Sequence, residues 1–140
     1  MYNVRATLIG LGATFALVIM FLSIGDAIWH PTNGVISGDV EATRVALAKA
    51  PIIAMLYFVL NFGIAGFVGP FLARKMAGGI SELPSQIVAV ALVVASVVNA
   101  IETPLPIWVD VASALIIFPA AFLGMKLAAP KLVMSNSARG

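Results

Sequence analysis

Four long stretches of this chain carry almost no charge, and they decide what it can fold into. Ala6 to Gly25 is an uncharged run of 20 residues, Ala50 to Ala73 one of 24, and Leu83 to Ile101 one of 19. The fourth, Thr103 to Met125, holds a single acid, Asp110. A helix rising about 1.5 Å per residue crosses a hydrocarbon core of about 30 Å in roughly 20 residues. Lipid offers backbone groups no partners, so an open, irregular crossing is excluded and each run is expected to be a helix. The expected fold is an all-α, four-transmembrane-helix bundle forming one membrane domain over residues 1–140, with spans near 6–28, 50–74, 83–101 and 104–127.

Composition agrees. The chain is 61% hydrophobic and 10% charged, with a mean hydropathy of +1.08. A soluble domain of this length lacks the interior to hide so much apolar surface. Span one follows Arg5, as a signal peptide would, but its apolar run exceeds the usual hydrophobic region of about 7–15 residues. It is expected to be a retained span. There is no cysteine, which excludes disulfides and thiolate chemistry, and the single histidine, His30, excludes a multi-histidine site within one chain. The basic residues sit at span ends rather than in a patch with aromatic partners, which argues against nucleic acid as a partner.

Those basic residues also predict orientation. Arg5, Arg74, Lys75, Lys126, Lys131 and Arg139 fall on one side of the membrane; Arg44 and Lys49 fall on the other. Cytoplasmic loops are enriched in Lys and Arg, so both termini are expected to be cytoplasmic. Trp29 and Trp108 then lie at the outer interface as anchors, where amphipathic indoles are favoured. The outer loop 29–49 is rich in turn formers ("HPTNGVISG"). Asp39 is expected to cap a short helix over 40–49, with Glu41 and Arg44 on one face and Pro51 kinking its entry into span two.

Two segments echo each other. "SIGDAIWHP" (Ser23–Pro31) aligns with "SVVNAIETP" (Ser96–Pro104), pairing Asp26 with Asn99. "AGFVGPFLA" (Ala65–Ala73) resembles "AAFLGMKLA" (Ala120–Ala128). The matches fall at the same depth of each half, the pattern of a 2+2 parallel internal repeat. Chance similarity between apolar segments is the alternative.

Inside the bundle, Gly63, Gly66 and Gly69 line span two at intervals of three, and span one carries Ala6, Gly10 and Gly12. Small residues let membrane helices approach closely, so spans one and two are expected to pack tightly. Asn61, at mid-span, is expected to hydrogen-bond across helices. Ser96 and Ser113 are expected to bond their own backbones, and Pro119 to kink span four. A polar cluster is expected at the outer boundary: Asp26, His30, Asn99, Glu102 and Asp110. In a helix, Asp26 and His30 share a face. A proton relay or weak metal site is the functional use of such a cluster. The structural use is Asp26 paired with Arg44 or Lys49, Glu102 in headgroup water, and Asp110 at a helix start where the dipole favours an anion. The structural use is preferred, and no metal or cofactor is expected.

No nucleophile elbow or His-Glu-x-x-His motif occurs, and "GLGATF" (Gly10–Phe15) lies within a span with no strand before it. No catalytic residue is assigned. From Gly63 onward, a Gly-rich span two ending in Ala73-Arg74, "PLPIW" (Pro104–Trp108) and "PAAFLG" (Pro119–Gly124) resemble motifs of a type of small, uncharacterised four-span bacterial inner-membrane protein, over about half the chain. The resemblance implies a multi-pass fold in a bacterial inner membrane and no activity. The function expected is a non-catalytic accessory subunit, packing by small-residue faces on a larger membrane complex or on itself. The alternative is a small homo-oligomeric transporter or channel with a polar path near Asp26, Asn61 and Asn99. The two differ in whether those three residues converge on one cavity.

Overall fold

The computed structural model describes residues 3–30, 34–36, 38–103 and 105–130. Five helices run in order: α1 (Val4–Trp29), α2 (Val40–Ala48), α3 (Ile52–Met76), α4 (Leu83–Glu102) and α5 (Ile107–Ala128). All but α2 are long and apolar enough to cross a membrane. The chain is an all-α, multi-pass membrane protein whose four long helices form one bundle. Lys131, Arg139 and the turn formers Pro31 and Asn33 lie outside the described residues.

Local chemistry sets the helix ends. Asn3 accepts a hydrogen bond from the Ala6 N–H at 3.1 Å, so α1 begins ahead of the uncharged run. Asp39 caps α2 as expected, accepting from the Ala42 N–H at 2.9 Å. Pro51 does not kink a continuous helix. It breaks the chain: α2 stops at Ala48, and Pro51 stands extended (φ −64°, ψ 147°) as the residue before α3. A proline lacks an N–H and pushes the residue before it out of the α region. Pro106 acts likewise, so α5 starts at Ile107 rather than near 104.

α3 is the hub. It packs against α1, α4 and α5, whereas α1 and α5 do not touch among the described residues. The packing between the hairpins α1–α3 and α4–α5 is asymmetric, since α3 meets α4 while α1 stays apart from α5 among the described residues. Phe62, Ala65, Leu92 and Ile117 form the core. The small residues of α3 are spent inside the chain. A Cβ on Gly63 would meet Ile116 Cδ1 at 3.1 Å, and one on Gly66 would meet Ile117 Cα at 3.3 Å. A Cβ on Gly69 would collide with Thr14 Oγ1, and one on Gly10 would lie 2.7 Å from the Ala73 Cβ. The expected contact between spans one and two is therefore present and runs through Gly10 and Gly69. Gly12 takes no part; the space beside it is open.

Side chains pin the helices to one another. Ser85, fully buried at the start of α4, donates to the Pro70 carbonyl of α3 at 2.7 Å. Ser85→Ala should lower stability by about 1 kcal/mol, read as a shifted unfolding midpoint in detergent micelles. Ser96 bonds its own backbone at Val93 O, 2.8 Å away, as expected. Ser113 does not: it is buried and its Oγ finds no partner among the described residues.

Candidate functional site

At the end of the bundle that carries α2, the helices part around a cavity of about 260 Å³. Gly25, Asp26 and Trp29 of α1 face it from one side; Tyr57, Phe58 and Asn61 of α3 form its inner wall. Asn99 and Thr103 close it from α4, and Leu47 and Ala50 cover it from α2 and the residues that follow. Spacing accounts for the shared faces: 25, 26 and 29 fall within one turn, and 57, 58 and 61 within another. Leu47 is the one buried residue of α2, so the short helix is seated by the same cavity it covers.

Aromatic rings build much of the wall. Tyr57 lies 5.1 Å from the Trp29 ring and 5.8 Å from Phe21, between centroids. Its hydroxyl donates to the Phe21 carbonyl at 3.0 Å, which fixes the ring across α1 and α3. Gly25 makes room for that seat, because a Cβ there would stand 3.0 Å from Tyr57 Cε1.

Asn61 sits at the floor. It is 1% exposed, and its Nδ2 donates a long hydrogen bond of 3.4 Å to Val18 O on α1. The bridge between helices is thus formed, as expected. Its Oδ1, however, has no hydrogen-bond partner among the described residues. A buried amide oxygen left without a donor forfeits about 1–3 kcal/mol, which a donor brought into the cavity would recover.

The expected boundary cluster is divided. Asp26 and Asn99, the pair aligned by the repeat, both line the cavity. His30 does not share it. It takes the left-handed conformation (φ 42°) that ends α1, and it borders a shallow neighbouring hollow with Asp39, Glu41 and Lys49. Glu102 is exposed, and neither it nor Asp110 lines the cavity. Asp26 does not pair with Arg44 or Lys49 among the described residues; Arg44 instead meets Glu41, 3.9 Å away. No group of three His, Asp or Glu side chains that could hold a metal occurs among the described residues. Trp29 is a cavity wall packed on Tyr57, whereas Trp108 stands 42% exposed near the start of α5.

The sequence carries a signal for Tyr57. It lies four residues before Asn61, so the two share a face of α3. Phe21, Phe58 and Thr103 had no comparable mark, because an aromatic or threonine in an apolar run is ordinary core or lipid-facing material. No protein-family description, no curated protein and no solved structure matches the chain.

Proposed function

We propose that the chain is a non-catalytic membrane carrier. It takes a small molecule into the cavity under α2 and works as a small homo-oligomeric transporter of a bacterial inner membrane. The observation behind this reading is the convergence of Asp26, Asn61 and Asn99 on one cavity. Four short spans rarely enclose a path alone, so passage is expected to need a second copy. The charge bias of the termini supports an N-in, C-in orientation, with the cavity opening outward.

The chain has no cysteine, which makes the test direct. Asn61→Cys at the cavity floor is challenged with a membrane-impermeant thiol reagent on sealed vesicles of each orientation. A carrier exposes its site alternately, so labelling from both faces is expected. Labelling from one face only reduces the reading to a binding protein. Protection from both faces, with Asp26→Cys also protected, removes the cavity from consideration.

A second reading, the accessory subunit, is favoured by a separate observation. The glycines of α3 are used internally, but α1 exposes Gly12, Ala16, Ser23 and Ala27 on its outward face. Spacings of four, seven and four hold them within one narrow stripe, a surface on which another helix packs closely. Purification in mild detergent separates the readings. A stoichiometric larger complex supports the subunit, a homodimer supports the carrier, and a lone monomer counts against both.

A further inference from the structure

The cavity also carries information about what it holds, and this step rests on the carrier reading of the same site. Its described lining contains one charged residue, Asp26, and no Lys, Arg or His. Lys49 borders the neighbouring hollow rather than the cavity. An anion entering would meet Asp26 with nothing to offset the repulsion. A neutral hydrocarbon would leave the buried Asn61 Oδ1 without a donor and would gain nothing from Asp26, which is exposed at the rim of the cavity. A cation is served by the acid and by the faces of Trp29, Tyr57 and Phe21 together, since aromatic faces attract cations as well as apolar bodies.

The two polar ends are set apart along α1. Asn61 Nδ2 reaches the Val18 carbonyl, and Asp26 lies eight residues beyond Val18 on the backbone of α1. At about 1.5 Å per residue the separation along the axis is about 12 Å. That backbone separation is an upper limit on the gap between the two polar ends, and a single aromatic ring with an aminoethyl arm on one side and a hydroxyl on the other is of the same order of length once each end adds a hydrogen bond of about 2.8 Å. The cavity volume of about 260 Å³ suits a ligand of that size rather than a whole lipid.

We infer that the cavity binds a small apolar primary amine as its ammonium cation. The ammonium sits on Asp26, the apolar body lies among Phe21, Trp29, Tyr57 and Phe58, and a donor at the far end reaches the free Asn61 Oδ1. A primary amine has a pKa near that of lysine, about 10.4, so it enters charged at neutral pH.

The test uses the full chain in nanodiscs of zwitterionic lipid, with Trp108→Phe so that emission reports Trp29 alone. Three probes are titrated: tyramine; tyrosol, in which a hydroxyl replaces the ammonium; and phenethylamine, which lacks the phenol hydroxyl. Tyramine is expected to quench saturably, with tyrosol binding about tenfold more weakly and phenethylamine about fivefold more weakly. Asp26→Asn should abolish the tyramine–tyrosol difference, and Asn61→Leu the tyramine–phenethylamine difference, each with wild-type helicity by circular dichroism. Tyrosol binding as tightly as tyramine would overturn the amine assignment and leave the carrier reading standing. No saturable response to any probe from a folded chain overturns the amine assignment; if Asn61→Cys is also protected from both faces, the carrier reading goes with it.

Discussion

Gly124→Ala should destabilise the bundle by about 2–3 kcal/mol, whereas Gly12→Ala should leave it unchanged or up to about 1 kcal/mol more stable. The two substitutions add the same methyl group to a membrane helix and gain the same helix propensity. They differ in what the methyl meets. At Gly124 on α5, the new Cβ runs into the carbonyl oxygen of Phe67 on α3 and comes within 3.4 Å of the Phe71 nitrogen. Both are backbone atoms of a central helix, so no rotamer change relieves the contact and the two helices must separate. At Gly12 nothing lies within 4 Å. Reversible unfolding in mixed micelles, followed by circular dichroism, reads both. Equal midpoints for the two variants would show that α5 does not lie against α3 as described.

Arg74→Met should cost about 3 kcal/mol, and Glu82→Gln less than about 1 kcal/mol. Arg74 stands at the end of α3, and its side chain is only 12% exposed. Its Nε donates to the Gly79 carbonyl at 3.0 Å, and its Nη1 to the Met125 carbonyl of α5 at 2.9 Å. The guanidinium therefore ties the tight turn after α3 to the last turn of α5. Helix-end carbonyls lack intrahelical donors, and a cation there also opposes the dipole of α5 favourably. Glu82, 2.9 Å from Nη1, is half exposed, so solvent weakens that pair. Arg74→Lys should fall between the two variants, because an ammonium cannot reproduce a planar fork reaching two carbonyls. Midpoints from the same unfolding assay decide it: if Glu82→Gln cost as much as Arg74→Met, the ion pair and not the carbonyl bonds would hold the turn.

Much of the architecture was legible residue by residue. The four uncharged runs predicted four spans, and their boundaries shifted by only a few residues, because the shifts come from single capping and proline positions. Asp39 as a cap was legible, since capping depends on neighbours within one turn. So was a close approach of α1 to α3 through small residues, although only the structure shows that Gly10 and Gly69 make it while Gly63 and Gly66 face α5. Arg74 was legible only as a charge. That it clamps Met125, 51 residues away, could not be read from a count of basic residues by side.

The candidate site divides the same way. Asp26, Asn61 and Asn99 stood out because polar groups are rare in apolar runs. Ser113 shows the limit of local reasoning. A helical serine usually satisfies itself on its own backbone, but the Ser113 oxygen has no partner among the described residues. His30 and Asp26 are four apart, yet they border different hollows because His30 is itself the left-handed residue that ends α1.

What the sequence by itself determined is the membrane as solvent, the number of spans, and the helix-end chemistry. Each follows from hydropathy over about 20 residues or from contacts within a turn. Only the tertiary structure decided that α3 is the hub, that its glycines are buried against this chain's own helices, and that Asp26 and Asn99 share a cavity with Asn61 while Glu102 and Asp110 do not. The reason is physical. Almost every outward face of such a chain is apolar, so hydropathy does not say which faces meet. Which faces meet is set by steric fit between helices far apart in the chain, and that fit exists only once they are packed.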